Sequence, residues 1–295
     1  MTKTDLQGRV CLITGATDGH GKALALLLAE RGAELILLAR DQEKALAVQD
    51  EIARASGGKR PEIVLADLAS ASDVDHAIEV VLSNGRPLHL LVNNAGLVGL
   101  KRRTNDAGLE LTFAVNYLAM FQLTLGLLPR LQESAPARII NISSDSYRIA
   151  RLHFDDLQLE NRYSLARSYG QSKLAILYFT IELARRLEKR SNGDSGPIVV
   201  NAVDPGPVAS NIGADNPGFA YRLARPMIRR LFPSAKRAAR TAVMVATDSE
   251  LANASGGYYR SRTRRENPLD FDAGASQRLW RESLELCGIA VDPLP

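Results

Sequence analysis

The sequence predicts an α/β fold: a doubly wound sheet of seven parallel strands with helices on both faces. Three observations carry this. Short β-rich apolar runs alternate with longer stretches of helical periodicity, the order a parallel sheet needs because each crossover is a helix. The first run leads at once into a glycine-rich turn and a helical pattern. Hydrophobic residues make up 45% of the 295 and charged ones 24%, ordinary for a chain that buries a core, and no apolar run is as long as a membrane span.

The elements follow in order. The strand candidates are Arg9 to Ile13, Glu34 to Leu38, Glu62 to Leu65, Leu88 to Val92, Ala137 to Ile142, Ile198 to Val203 and Gly256 to Tyr259. Between them, helical periodicity runs over Lys22 to Arg31, Gln42 to Ala55, Ser72 to Leu82, Gly108 to Gln132, Ser168 to Arg190 and Lys236 to Thr247. Gly32 and Gly57 stand just past two of these stretches, where a helix end favours glycine. Pro207 to Pro233 breaks the alternation: prolines and glycines mix there with aromatic and basic residues, as in a loop excursion that selects a ligand.

Composition narrows the partners. The net charge is +4, yet Arg222, Arg225, Arg229, Arg230, Lys236, Arg237 and Arg240 crowd together. Arg260, Arg262, Arg264 and Arg265 form a second cluster. Such clusters could meet nucleic acid, an anionic membrane surface or acidic partners; a solvated helix face is the expected reading, with no nucleic-acid partner and the membrane surface as the alternative. The polar start MTKTDLQGR carries no secretory pattern, so the expected location is the cytoplasm. Cys11 falls in an apolar strand pattern, where a buried inert thiol is expected, and neither a metal site nor a disulfide framework is apparent.

The stretch TGATDGHG, with Gly15, Gly19 and Gly21, places backbone N–H groups and the positive end of a helix dipole at one point, which suits a pyrophosphate. Its spacing differs from the usual dinucleotide G-x-G-x-x-G, so a plain tight turn is an equal reading of the loop taken alone. Further along come NNAG at Asn93 to Gly96, Asn116 within a helical pattern, INISS at Ile140 to Ser144, YGQSK at Tyr169 to Lys173 and DPGPV at Asp204 to Val208. In that order, over nearly the whole chain, these motifs resemble the short-chain dehydrogenase/reductase family. The long segment between Ser144 and Tyr169 and the closing RLWRESLELCG resemble its retinol dehydrogenase and WW-domain oxidoreductase-like branch, whose substrates are largely apolar alcohols and carbonyl compounds.

The resemblance implies a Rossmann-type domain spanning 1–295: a nucleotide-binding core at 1–205, a substrate lid at 207–235, and a last helix, last strand and tail at 236–295. It implies hydride transfer at a nicotinamide, with Tyr169 exchanging the proton, Ser144 bonding the substrate oxygen, Lys173 holding the ribose hydroxyls and Asn116 continuing a proton relay. Tyr169 and Lys173 are one helical turn apart and share a face. A nearby ammonium favours phenolate, so Lys173 is expected to lower the Tyr169 pKa. Gly15, Thr17, Asp18, Gly19, His20 and Gly21 would line the pyrophosphate. Asp67 and Leu68 would meet adenine, Asn94, Ala95 and Gly96 the bound dinucleotide after the fourth strand, and Pro205, Gly206 and Val208 the carboxamide.

NADP is the expected cofactor and NAD the alternative. Ala39 stands where NAD-preferring members of the family carry aspartate, and Arg40 follows with a charged fork suited to a 2′-phosphate. Asp18 opposes this unless a cation neutralises it or it caps the next helix. His20 replaces the usual isoleucine or leucine; it could add a bond when protonated or simply fill space. The expected substrate is a small apolar carbonyl or alcohol. Pairing of two chains through the helices at Gly108 to Gln132 and Ser168 to Arg190 is open, as are an idle nucleotide-binding scaffold and a peripheral membrane enzyme.

Overall fold

A computed structural model of the chain describes residues 6–190, 196–206, 234–265 and 271–294. Its single sheet contains β1 (Val10–Thr14), β2 (Glu34–Ala39), β3 (Glu62–Leu65), β4 (Leu90–Asn93), β5 (Ala137–Ile142), β6 (Ile198–Asp204), β7 (Tyr258–Arg260) and β8 (Thr263–Arg265). The spatial order is β3-β2-β1-β4-β5-β6-β7-β8. The first seven strands are parallel, as the alternation predicts. The eighth is an addition to the expected sheet: β8 pairs antiparallel with β7 through a tight turn in which Ser261 and Arg262 have φ of 52° and 63°.

The helices are α1 (Gly19–Ala29), α2 (Gln42–Ala55), α3 (Ala71–Ser83), α4 (Leu111–Glu133), α5 (Leu165–Arg190), α6 (Ala235–Thr247) and α7 (Ala273–Leu286). Alternate strand residues face opposite layers. Val10, Leu12, Ile36 and Leu38 point to the layer of α3, α4, α5 and α7; Cys11, Ile13, Leu35 and Leu37 point to that of α1, α2 and α6. Cys11 is fully buried and burial pushes its thiol up to about 12, the inert state expected. α4 is long and apolar enough to cross a membrane, but 83% of its apolar window is buried inside the protein, where it serves as a core helix.

α7 is absent from the expected element list and closes the first layer. Its Trp280, 2% exposed, stacks on Phe179 of α5 at 5.7 Å and meets Phe121 of α4 edge-on at 5.2 Å. The Arg186 guanidinium covers the indole at 4.1 Å, and the indole N–H donates to Asp292. Residues 207–233 lie outside the described residues, so the expected lid, Val208 and the arginines from Arg222 to Arg230 are not placed.

Between β1 and β4 the chain reverses its direction of sheet growth. In open α/β sheets the crevice at the carboxyl ends of such strands is where ligands bind.

Candidate active site

The turn after β1 is shaped for close approach. Gly15 and Gly19 have φ of 65° and 52°, a region that favours glycine. A Cβ on Gly15 would lie 2.9 Å from Ala95 Cα, and one on Gly21 would run into the Gly15 carbonyl and the Asn94 amide. The cradle is therefore built between the glycine turn and the end of β4. Thr14, unassigned in the sequence reading, joins them: its hydroxyl accepts from the backbone of Asn94 and Ala95, each at 2.9 Å.

Asp18 caps α1, its carboxylate accepting the Gly19 N–H at 2.7 Å. Of the two roles open to it, capping is the one its geometry shows. His20 is 7% exposed and its Nδ1 lies 2.8 Å from Asn94 Oδ1. Asn94 uses its amide nitrogen to donate to the Thr14 and Gly15 carbonyls, so its oxygen is the acceptor and His20 Nδ1 carries the proton. Burial holds the imidazole pKa below its ordinary value, with Lys173 adding to the effect. His20 thus ties the glycine turn to β4, with burial favouring its neutral form.

At the end of β2, Arg40 is exposed and its guanidinium approaches Asp67, after β3, at 4.0 Å. Asp67 also accepts the Ala69 N–H at 2.9 Å, and Leu68 packs against the core. Lys44, in the first turn of α2, pairs with Asp41 at 2.9 Å and feels the charges of both Arg40 and Asp18. It is a cation near Asp18 that the sequence reading did not identify.

Ser144 and Tyr169 come together: the serine hydroxyl lies near enough to the phenol to favour its ionised form. The neighbouring Ser143 hydroxyl donates to the Lys173 carbonyl at 3.0 Å and pins α5 to β5. Lys173 is 4% exposed, its ammonium donates to the Ile142 carbonyl at 2.9 Å and it lies 5.5 Å from the Tyr169 ring centre. Burial pushes Lys173 down to about 8. Tyr169 departs from expectation. Its pKa is raised, with burial the leading cause; the Ser144 hydroxyl opposes this, while the charge of Asp204 adds to it. Desolvation outweighs the Ser144 hydroxyl at this phenol, and the expected lowering by Lys173 is not among the causes of the shift.

Asn116 lies in a π-helical stretch, Ala114–Leu118, inside α4. There the Ala119 N–H reaches the Ala114 carbonyl, a register that interrupts the normal ladder and often marks a functional site. The Asn116 side chain accepts from Leu97 N–H at 2.7 Å and donates to the Leu97 carbonyl and to Ser172. A Cβ on Gly96 would lie 3.2 Å from Asn116 Oδ1 and 3.7 Å from Lys173 Nζ, so the NNAG turn comes close to the lysine. Pro205 and Gly206 follow β6, with Gly206 at φ 76°.

Comparison with known proteins establishes the family. Residues 9–217 match the family model of the short chain dehydrogenases. This chain is a short-chain dehydrogenase. The dehydrogenase is 36% identical to retinol dehydrogenase 13 of Mus musculus, over 98% of its own length and 87% of that protein's. It is 34% identical to polyprenol dehydrogenase of Danio rerio, over 96% and 87%. It lies in the retinol dehydrogenase branch and is an oxidoreductase dependent on a nicotinamide dinucleotide.

Solved structures show the same fold. An uncharacterized protein from Mycobacterium paratuberculosis superposes with a TM-score of 0.76 at 27% identity, covering 99% of the dehydrogenase and 97% of that chain. A short chain dehydrogenase from Burkholderia cenocepacia J2315 in complex with NADP gives 0.67 at 25%, covering 88% and 100%.

Proposed function

We propose that this dehydrogenase interconverts an apolar or aromatic alcohol and its carbonyl form by hydride transfer with NADP, using Tyr169 as the acid/base. The observation that carries the reading is the buried Lys173 ammonium 5.5 Å from the Tyr169 ring on one helix face, next to the glycine cradle and with Ser144 near the phenol. Relatives named for retinol and polyprenol support the apolar class of substrate.

The cradle fits a dinucleotide because its close contacts leave no room for a Cβ at Gly15 or Gly21. Gly15, Thr17, Gly19 and Gly21 would hold the pyrophosphate, Asp67 and Leu68 the adenine, and Asn94, Ala95, Gly96, Pro205, Gly206 and Val208 the nicotinamide half. Arg40 would take the 2′-phosphate, with Lys44 offsetting Asp18. When bound, the nicotinamide supplies the hydride donor or acceptor. Ser144 donates to the substrate oxygen and stabilises charge developing on it. Tyr169 takes or gives the hydroxyl proton. One donor of Lys173 is spent on Ile142, which leaves two for ribose hydroxyls and the relay through Asn116.

The test is turnover of retinol and polyprenol-type alcohols with NADP and with NAD. Oxidation with a higher kcat/KM for NADP is expected. Failure with a broad panel of apolar alcohols and carbonyls, despite tight NADPH binding, would instead favour an idle nucleotide-binding scaffold. We place the enzyme in the cytoplasm with a small-molecule partner, and salt-sensitive binding to anionic vesicles would move it to a membrane surface.

A further inference from the structure

Asp204 ends β6, and its carboxylate, 3% exposed, is reached from two turns of the site. Oδ2 accepts the N–H of Asp145, directly after Ser144, at 3.2 Å. Oδ1 accepts the N–H of Gly206 at 2.7 Å. Arg260 of β7 approaches Asp204 at 3.4 Å and also pairs with Asp145, to which Tyr258 donates at 2.7 Å. A buried carboxylate is tolerated when N–H donors and a cation compensate it; this one has both, and burial still holds its pKa above the ordinary carboxylate value.

We propose that Asp204 is a positioning residue of the reaction: its carboxylate ties the Ser144 turn to the Pro205–Gly206 turn and brings its charge to bear on the site of Tyr169 and Lys173. The proposal rests on the reading of Tyr169 as the acid/base. The tie matters because it fixes the turn that presents Ser144 beside Tyr169, while the glycine turn follows the neighbouring strand β6. The charge acts on both titrating partners in one direction. It opposes burial at Lys173, favouring the ammonium, and it adds to burial at Tyr169, favouring the neutral phenol.

The other groups facing this pair are the Ser144 hydroxyl and His20, coupled to Lys173. Around Asp204 stand Asp145, Arg148 and Arg260, with the phenols of Tyr147 and Tyr258. Removal of the charge at 204 therefore lets both the phenol and the ammonium lose their protons at lower pH.

The experiment is the pH profile of kcat/KM for alcohol oxidation in wild type, Asp204→Asn and Arg260→Met, with Tyr169→Phe in parallel. Asparagine keeps an acceptor oxygen and loses the charge. The bell for Asp204→Asn is expected to move to lower pH by about one pH unit, with kcat falling more than KM rises. Arg260→Met, which leaves two carboxylates less compensated, is expected to move it to higher pH. Superimposable bells overturn the proposal, and if Asp204→Asn does not fold, an unmoved bell in Arg260→Met does so alone. Full activity in Tyr169→Phe would remove the acid/base reading instead. An inactive Tyr169→Phe beside an unmoved Asp204→Asn bell removes only the role of Asp204.

Discussion

Lys173→Met is the substitution whose effect on stability can be worked furthest. Burial pushes the Lys173 ammonium down to about 8 from an ordinary 10.5. At ~1.4 kcal/mol per pH unit, keeping that charge buried costs the fold about 3 kcal/mol at neutral pH. Below pH 8 both the folded and the unfolded chain hold the proton, and this cost is constant. Between about 8 and 10.5 the unfolded chain holds a proton that the folded chain has released, so stability rises with pH through that window. Methionine does not titrate. The lost bond to the Ile142 carbonyl subtracts roughly 1–3 kcal/mol from the variant, an offset with little dependence on pH. Urea unfolding of both proteins at pH 7, 8.5 and 10 at fixed ionic strength reads the difference. The variant is expected to lose about 2–3 kcal/mol relative to wild type between pH 7 and 10. Parallel stability curves across that range would refute the reasoning.

Three further outcomes follow from packing and charge. Arg40→Ala is expected to weaken NADPH binding by roughly 1.5–3 kcal/mol, the scale of a charged hydrogen bond, and to leave NADH binding unchanged; equal loss for both would take Arg40 away from the 2′-phosphate. Gly21→Ala is expected to abolish dinucleotide binding with the fold retained, since its Cβ would meet the Gly15 carbonyl and the Asn94 amide; calorimetric titration with NADPH checks this, and wild-type affinity would count against the cradle. Trp280→Ala removes the indole packed between Phe121, Phe179 and Arg186 and is expected to cost about 3–5 kcal/mol in chemical denaturation; a loss under about 1 kcal/mol would mean that α7 is dispensable.

Elements whose pattern is local were legible in the sequence. β3, β5 and α2 have the bounds that periodicity and flanking Gly57 and Pro61 indicate. α1 begins three residues before Lys22, because Asp18 caps it and the glycines that read as loop continue into helix. β8 reads Thr-Arg-Arg, with no apolar alternation, and its turn uses Ser261 and Arg262 in place of the usual glycine. The π-helical register at Asn116 leaves no mark on a 3.6-residue pattern. At the site, the order of motifs was legible, but the contacts between distant residues were not. Asp204 meets Asp145 across 59 positions, His20 meets Asn94 across 74, and the burial that raises Tyr169 is a property of the packed crevice.

In the proposed reaction Tyr169 exchanges the proton while the glycine cradle independently holds the dinucleotide. Tyr169→Phe tests it most directly, through alcohol oxidation with NADP and NADPH affinity measured on the same preparation. A fall in kcat of about 10²–10⁴-fold with affinity for NADPH retained is expected. Turnover equal to wild type would contradict it.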